Sequence, residues 1–163
     1  MAKQYVDGVE KVCRALNAQI TKLEKGALKG LVRGAVHIRR EMEFTMPVIP
    51  VDLGNLRSSF YTVTVGGAPD PGGGNFKGED AAIMAEDHDS GKSESQGFLK
   101  SLKNPAVILG FTANYAWSVH EMVGATFRRP GAGAKFLESA IKTSTKRVLE
   151  LVELEVKKEL NSR

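Results

Sequence analysis

Apolar residues recur at steps of three and four along the first part of the chain, which is the spacing of one helix face. The first stripe comprises Val6, Val9, Cys13, Leu16, Ile20 and Leu23. The second stripe comprises Leu28, Leu31, Ala35, Ile38 and Met42. Gly26 and Gly30 lie between the stripes, and each lowers helix stability by about 1 kcal/mol relative to alanine. The pattern predicts two helical segments, or one helix that breaks near Lys25, ending near Thr45.

The periodicity changes at residues 47–60, PVIPVDLGNLRSSF. Pro47 and Pro50 cannot continue a helix. Asp52 can accept hydrogen bonds from the backbone NH groups that follow it, and Gly54 can adopt a positive φ, so residues 51–55 predict a capped turn. From Leu56 onward, successive side chains would point to opposite sides of an extended chain, and many of them are β-branched or aromatic. This pattern predicts a strand.

The second half of the chain predicts a companion strand and a terminal helix. Residues 106–111 are almost continuously apolar and suit an antiparallel partner for the first strand. The intervening residues 66–104 are rich in Gly, Ser, Asp and Glu, which predicts a flexible insertion at the hairpin tip. A short helix within 111–122, a third short strand at 124–127 and a helix of about 25 residues starting near Ala134 follow. We expect one α+β domain spanning 1–163, with both long helices on one face of a small antiparallel sheet.

Composition narrows the class of protein without naming a function. Of 163 residues, 42% are hydrophobic and 26% charged, which is ordinary for one globular domain. No apolar run approaches the roughly 20 residues of a membrane span. The amino terminus lacks the apolar stretch of a secretion signal, and Cys13 is the single cysteine. We therefore expect a protein made in a reducing cytoplasm, with no membrane partner.

The basic balance of the chain leaves a nucleic-acid-binding regulator open as an alternative. The net charge is +4 and the pI is near 9.2. Lys and Arg are nevertheless interleaved with Glu along both ends of the chain, and no aromatic ladder accompanies them. Interleaved charges mostly form pairs along a solvated helix, so we favour a helical surface over a nucleic-acid footprint.

Two groups of neighbouring residues are of the types used in catalysis or metal binding. His120 and Glu121 are adjacent, and neighbouring helical positions point about 100° apart, so we expect that they do not converge on one substrate atom. The cluster of Glu86, Asp87, His88 and Asp89 lies in the glycine-rich insertion, without the fixed spacing of metal ligands. We expect no catalytic residue, no metal site and no cofactor.

Four segments in this order resemble the tail-completion or head-to-tail joining proteins of long-tailed bacteriophages, small neck proteins that also occur in prophages. The segments are LKGLVRGAVHIRREM, PVDLGNLRSSF, NYAWSVHEM and RRPGAGAKFLESAI, which together cover roughly residues 25–145. The residues that match the family motifs are Pro50, Val51, Asp52, Gly54, Leu56, Arg57, Ser59, Tyr115, Ala116, Val119, His120 or Glu121, Arg129 and Pro130. Two departures are the residues after Glu121, where relatives carry Phe-Gly and Gly-Thr, and the large insertion at 66–104.

This resemblance implies a non-enzymatic structural protein of the virion. It implies a homo-oligomeric ring, commonly of six subunits, between the head connector and the tail tube, assembled in the host cytoplasm. DNA would pass through the ring without being read by sequence. The matched residues would serve folding and assembly. Whether the protein is a tail terminator, a completion ring or a minor head protein is left open by the resemblance.

Overall fold

A computed structural model describes the backbone of residues 2–66 and 73–162, and the side chains from residue 8 onward within those ranges. The helices are α1 (Ala2–Phe44), α2 (Asn55–Ser58), α3 (Ala81–Ser101), α4 (Ala116–Glu121) and α5 (Phe136–Asn161), and the strands are β1 (Phe60–Thr64) and β2 (Val107–Phe111). The α+β prediction is confirmed: the two long helices pack together beside a two-stranded antiparallel sheet. None of the described helices is long and apolar enough to cross a membrane. Residues 67–72 of the expected insertion and the side chain of Val6 lie outside the described residues.

The amino-terminal part of the chain forms one uninterrupted helix, so the predicted break near Lys25 is wrong. α1 contains 43 residues, which corresponds to a length of roughly 65 Å at 1.5 Å per residue. It ends at Phe44, one residue before the predicted end, where Pro47 and Pro50 follow. Gly26 and Gly30 lie within this helix and do not end it.

Three glycines of α1, Gly26, Gly30 and Gly34, lie where α5 packs against this helix. A Cβ atom at Gly26 would lie 2.7 Å from the Cα of Val156, and one at Gly30 would lie 2.4 Å from the Cα of Val152. Such distances are too short for a real Cβ, so only glycine allows the two backbones to lie this close. We call the antiparallel contact of Gly26, Gly30 and Gly34 with Val156, Val152 and Val148 the glycine seam. Its packing offsets the low helix propensity of glycine.

Ion pairs flank the glycine seam. Lys29 pairs with Glu159 and Arg33 pairs with Glu155, each across the two helices. The Lys29 ammonium lowers the pKa of Glu159. The Lys158 ammonium, followed by the Arg33 guanidinium, lowers the pKa of Glu155. Much of the basic charge of α1 is therefore used to hold α5.

The sheet has the antiparallel pairing that the sequence predicted, but its first strand begins later. Phe60 lies opposite Phe111 and Thr64 lies opposite Val107. The strand was expected from Leu56, whereas residues 55–58 form the helical turn α2. No residue of β2 lies opposite this turn, so its backbone groups bond locally: the NH of Ser59 donates to carbonyl groups of α2.

The two faces of the sheet pack against different helices. Phe60 and Phe111 contact each other edge to face, and Phe111 contacts Phe136 of α5 in the same way. The core on this face is completed by residues of both long helices, Ile38, Met42, Phe136 and Ala140. On the opposite face, the Tyr61 hydroxyl lies 2.9 Å from Ser95 Oγ of α3. Both long helices therefore share one face of the sheet, as predicted.

The expectation of an unstructured insertion is wrong for residues 81–101, which form α3. Leu99 and His88 are buried, and a Cβ at Gly91 would lie 2.9 Å from Thr112 Cγ2. A few buried contacts at the right spacing thus stabilise a segment whose average composition is polar.

Between α4 and α5 the chain forms turns, and the predicted third strand at 124–127 is absent among the described residues. Val48 and Ala132 form an isolated bridge instead. The last helix begins at Phe136, two residues after the predicted start.

The glycine seam makes a direct prediction about stability. We expect Gly30→Ala to lower the free energy of unfolding by about 2 kcal/mol, because the strain of overpacking exceeds the gain in helix propensity. Gly8 lies in the same helix, and a Cβ added there would meet no atom within 4 Å, so Gly8→Ala should instead raise it by about 0.5–1 kcal/mol. Urea unfolding followed by circular dichroism measures both. A Gly30→Ala protein as stable as the unsubstituted one would contradict the seam.

The flanking ion pairs predict a dependence of stability on pH. The pKa values of Glu155 and Glu159 are lowered from 4.5 by folding. Their contribution is therefore present above that value and is lost as the pH falls through the lower folded pKa. Between about pH 6 and about pH 3, the double variant Glu155→Gln/Glu159→Gln should lose less stability than the unsubstituted protein. The control is Glu24→Gln at an exposed position of α1, which should lose as much stability over this pH range as the unsubstituted protein. An equal loss of stability in all three proteins would refute the assignment.

Candidate functional site: an apolar groove beside residues 50–56

The turn after α1 folds back onto the end of that helix. The NH of Ile49 donates to the carbonyl oxygen of Met42 at 2.8 Å, and Gly54 adopts a φ of 93°, as its place in the predicted turn required. The predicted role of Asp52 as a cap is wrong. Its carboxylate accepts a hydrogen bond from Arg128 Nη1 at 2.5 Å, which links this turn to the segment before α5.

A groove of about 600 Å³ opens beside this turn. Its apolar lining includes Leu53, Leu56, Met84, Val119 and Phe127. Its polar lining includes Asp52, Asn55, Lys77, Glu79, Asp80 and Arg128. A smaller hollow of about 280 Å³ shares Asp80, Met84 and Tyr115 with it and extends toward α3. The groove therefore brings together the turn, α3, α4 and the segment that leads to α5.

Several motif residues meet at this groove. Pro50, Asp52, Gly54, Leu56 and Tyr115 all line it, although the last is distant from the others in the chain. Burial, followed by the charge of Asp52, raises the pKa of Tyr115. Two segments that the resemblance singled out separately thus form one surface.

Arg129 links the end of α1 to the turn that follows it, next to the groove. Its Nη1 lies 2.9 Å from Glu43 Oε2 and donates to the carbonyl oxygen of Ile49 at 3.1 Å. Its Nη2 donates to the carbonyl oxygen of Glu43 at 2.7 Å. One guanidinium therefore satisfies backbone groups at the end of α1 and in the turn that follows. Pro130, the next residue, is exposed and lies in a turn.

The remaining residues of the first and second motifs have structural contacts outside the groove. Arg57 Nε lies 3.1 Å from Glu43 Oε1. Ser59 is fully buried, and its hydroxyl donates to the carbonyl oxygen of Leu56 at 2.8 Å. Ala116 is partly buried and packs against the core. These residues hold the groove in place without lining it.

His120 and Glu121 contact each other at the end of α4, and the expectation that they do not converge on one substrate atom stays a prediction. His120 Nδ1 lies 2.9 Å from Glu121 Oε1, and Lys135 Nζ donates to the other carboxylate oxygen at 2.5 Å. The Lys135 ammonium, followed by His120, lowers the pKa of Glu121. His120 Nε2 accepts from the NH of Glu138 at 3.4 Å, and its carbonyl oxygen accepts from the NH of Lys135 at 2.8 Å. The pair fixes the start of α5, and both ring nitrogens are engaged.

The acidic cluster of the insertion does not converge. His88 points inward, with Nδ1 2.9 Å from Thr112 Oγ1, while Glu86, Asp87 and Asp89 are exposed. Within residues 2–66 and 73–162, no group of three or more His, Cys, Asp or Glu side chains could hold a metal ion.

Sequence reasoning missed part of the groove. Leu53, Met84, Phe127 and Arg128 line it but were not predicted as site residues. The signal that the motif itself offered is an apolar residue, Leu53, inside a predicted turn, and its side chain is 59% exposed in the structure. Met84 could not be found while its segment was interpreted as an unstructured loop.

Comparison of this chain with known protein families, with curated proteins and with solved structures finds no match.

The two adjacent arginines provide a matched test of the site. Arg129→Met should lower the free energy of unfolding by about 2 kcal/mol, because it leaves the carbonyl groups of Glu43 in α1 and of Ile49 in the following turn without this donor. Arg128 is 84% exposed in its pair with Asp52, so Arg128→Met should change stability by less than about 0.5 kcal/mol. Urea unfolding of both variants measures the difference, and equal effects would contradict the assigned role of Arg129.

Proposed function

We propose that this protein is a structural subunit of a bacteriophage neck, where a ring of copies, commonly six, joins the head connector to the tail tube. It works in the virion after assembly in the host cytoplasm. DNA passes through the ring without being read by sequence. The protein acts by contacts with its own copies, the connector and the tube, and uses no cofactor.

The observation that carries this proposal is the meeting of three motif segments around one groove. Asp52 of PVDLGNLRSSF accepts a hydrogen bond from Arg128, the first residue of RRPGAGAKFLESAI, and Tyr115 of NYAWSVHEM lines the same groove. These three residues thus lie together at one groove, where an assembly contact would need them, although Asp52 is more than sixty positions from the other two in the chain.

The shape of the described chain also suits a ring. A closed ring of identical subunits needs two different surfaces on each copy, one for each neighbour. α1 extends well past the sheet, and the groove lies at the other end of that helix. The subunit therefore offers different surfaces at its two ends.

Ion pairing weakens the case for a nucleic-acid-binding regulator. Lys25 and Lys29 pair with Glu159, and Arg33 pairs with Glu155. These cations are already partnered on α5, so fewer of them are available for phosphate groups. Among the candidates for acid-base chemistry, the imidazole of His120 is bonded at both nitrogens, which favours a structural role for that residue.

Deletion of the gene from a phage or induced prophage that carries it tests the proposal. We expect DNA-filled heads and complete tails that do not join, because the ring between them is missing. Electron microscopy of the lysate and plaque counts measure the result, and supplying the gene in trans should restore joined particles. Normal virions from the deletion would rule out the joining role. Strong DNA binding that falls steeply with salt would favour the regulator instead.

A further inference from the structure

The amino-terminal part of α1 carries an apolar stripe that nothing in the described chain covers. We call residues 8–24 the arm. Its stripe consists of Val9, Val12, Leu16, Ile20 and Leu23, whose exposed fractions fall steadily from 62% to 41% toward α5. α5 ends at Asn161, and Lys22 Nζ reaches the carbonyl oxygen of the next residue, Ser162. The stripe continues the line of the glycine seam, so it extends the α1 surface that α5 covers beyond the point where α5 stops.

A stripe of this kind is typical of a helix that packs against a partner. Its steps of three and four place all five side chains on one face, while the charged residues of the arm lie off this stripe. A contiguous apolar surface that is left exposed in a subunit usually marks an interaction site. The apolar face of the arm is therefore a candidate interaction surface.

The groove beside residues 50–56 has the complementary shape. It is concave and has an apolar lining that includes Leu53 and Phe127, whereas the arm is a convex apolar ridge. An amphipathic helix that lies in an apolar groove, anchored at steps of three and four, is a common mode of recognition. The smaller hollow that shares Tyr115 lengthens the groove toward α3. One uncovered apolar surface is thus convex and the other concave.

The net charges of the arm and of the groove lining also favour contact between them. The groove lining has three carboxylates, Asp52, Glu79 and Asp80, against the two cations Lys77 and Arg128. The arm has three cations, Lys11, Arg14 and Lys22, against the two carboxylates Glu10 and Glu24. The two surfaces thus carry opposite net charge. The arm contains no aromatic residue and has only a small excess of positive charge, which disfavours a lipid surface as its occupant.

A copy cannot place its own arm in its own groove. The groove is tied to the far end of α1 through the bond between Ile49 and Met42. Leu16 lies 26 residues before Met42 in one continuous helix, a distance of roughly 40 Å. The contact must therefore form between copies.

We infer that the arm of one copy docks in the groove of the next, so that each copy gives an arm to one neighbour and receives an arm from the other. This contact is heterologous, and its repetition closes a ring or builds an open chain. The inference rests on the proposed function, for which it names the contact between subunits. The apolar side chains of the stripe are the anchors, and Leu53 at the mouth of the groove is part of their receiving surface.

Two charged substitutions in the full chain test this contact. Leu16→Glu damages only the arm and Leu53→Glu damages only the groove, and both residues are exposed, so each variant should fold. Unsubstituted protein should assemble as its concentration rises in sedimentation velocity. Each variant alone should associate at least about tenfold more weakly, because a charge would be buried against apolar side chains. An equimolar mixture should form one-to-one dimers and stop there, since one intact arm and one intact groove remain.

The control is Ala18→Glu, which adds the same charge to an exposed position of the arm away from the stripe. It should assemble like the unsubstituted protein. Pairing of arm with arm would instead leave Leu53→Glu fully associated, and binding to a different protein would leave the unsubstituted chain monomeric; either result overturns the inference. If the mixture stays monomeric while the gene deletion still yields unjoined heads and tails, only the arm contact is wrong. If the mixture dimerises but the deletion leaves normal virions, the contact stands and the neck role is wrong.

Discussion

The close approach of α1 and α5 is the constraint on which the rest of the structure depends. Three glycines four residues apart let the two backbones lie against each other, and this contact fixes which residues face which. It brings Met42 together with Phe136 in the hydrophobic core against which the sheet packs. It also determines where α5 stops along α1, which leaves the arm uncovered. A larger side chain in the seam would change both the core and the uncovered surface.

A second constraint acts where α1 ends. The last carbonyl groups of a long helix need donors, and here the guanidinium of Arg129 supplies one to Glu43 from a segment more than eighty residues away. The same side chain pairs with Glu43, which also pairs with Arg57. This cluster holds the turn after α1 against the segment before α5. The groove exists because these two segments are kept side by side.

The two constraints give the subunit two different ends. The glycine seam leaves an apolar ridge at one end of α1, and the cluster around Arg129 shapes an apolar groove near the other. Unlike surfaces at opposite ends are what the proposed head-to-tail contact between copies requires, and a contact of that kind closes a ring or builds an open chain. His120 fits this description as a structural residue, because its ring and its carbonyl oxygen both hold the start of α5.

Local patterns in the sequence were enough to predict the class of the fold, the end of α1, the pairing of the strands and the amphipathic terminal helix. Each of these follows from periodicity or from proline, which act within a few residues. The same patterns could not predict the continuity of α1, since Gly30 destabilises an isolated helix and is required only once Val152 lies against it. Nor could they predict α3 or the contact of Asp52 with Arg128. Those features depend on partners far away in the chain, which come together only in the folded protein.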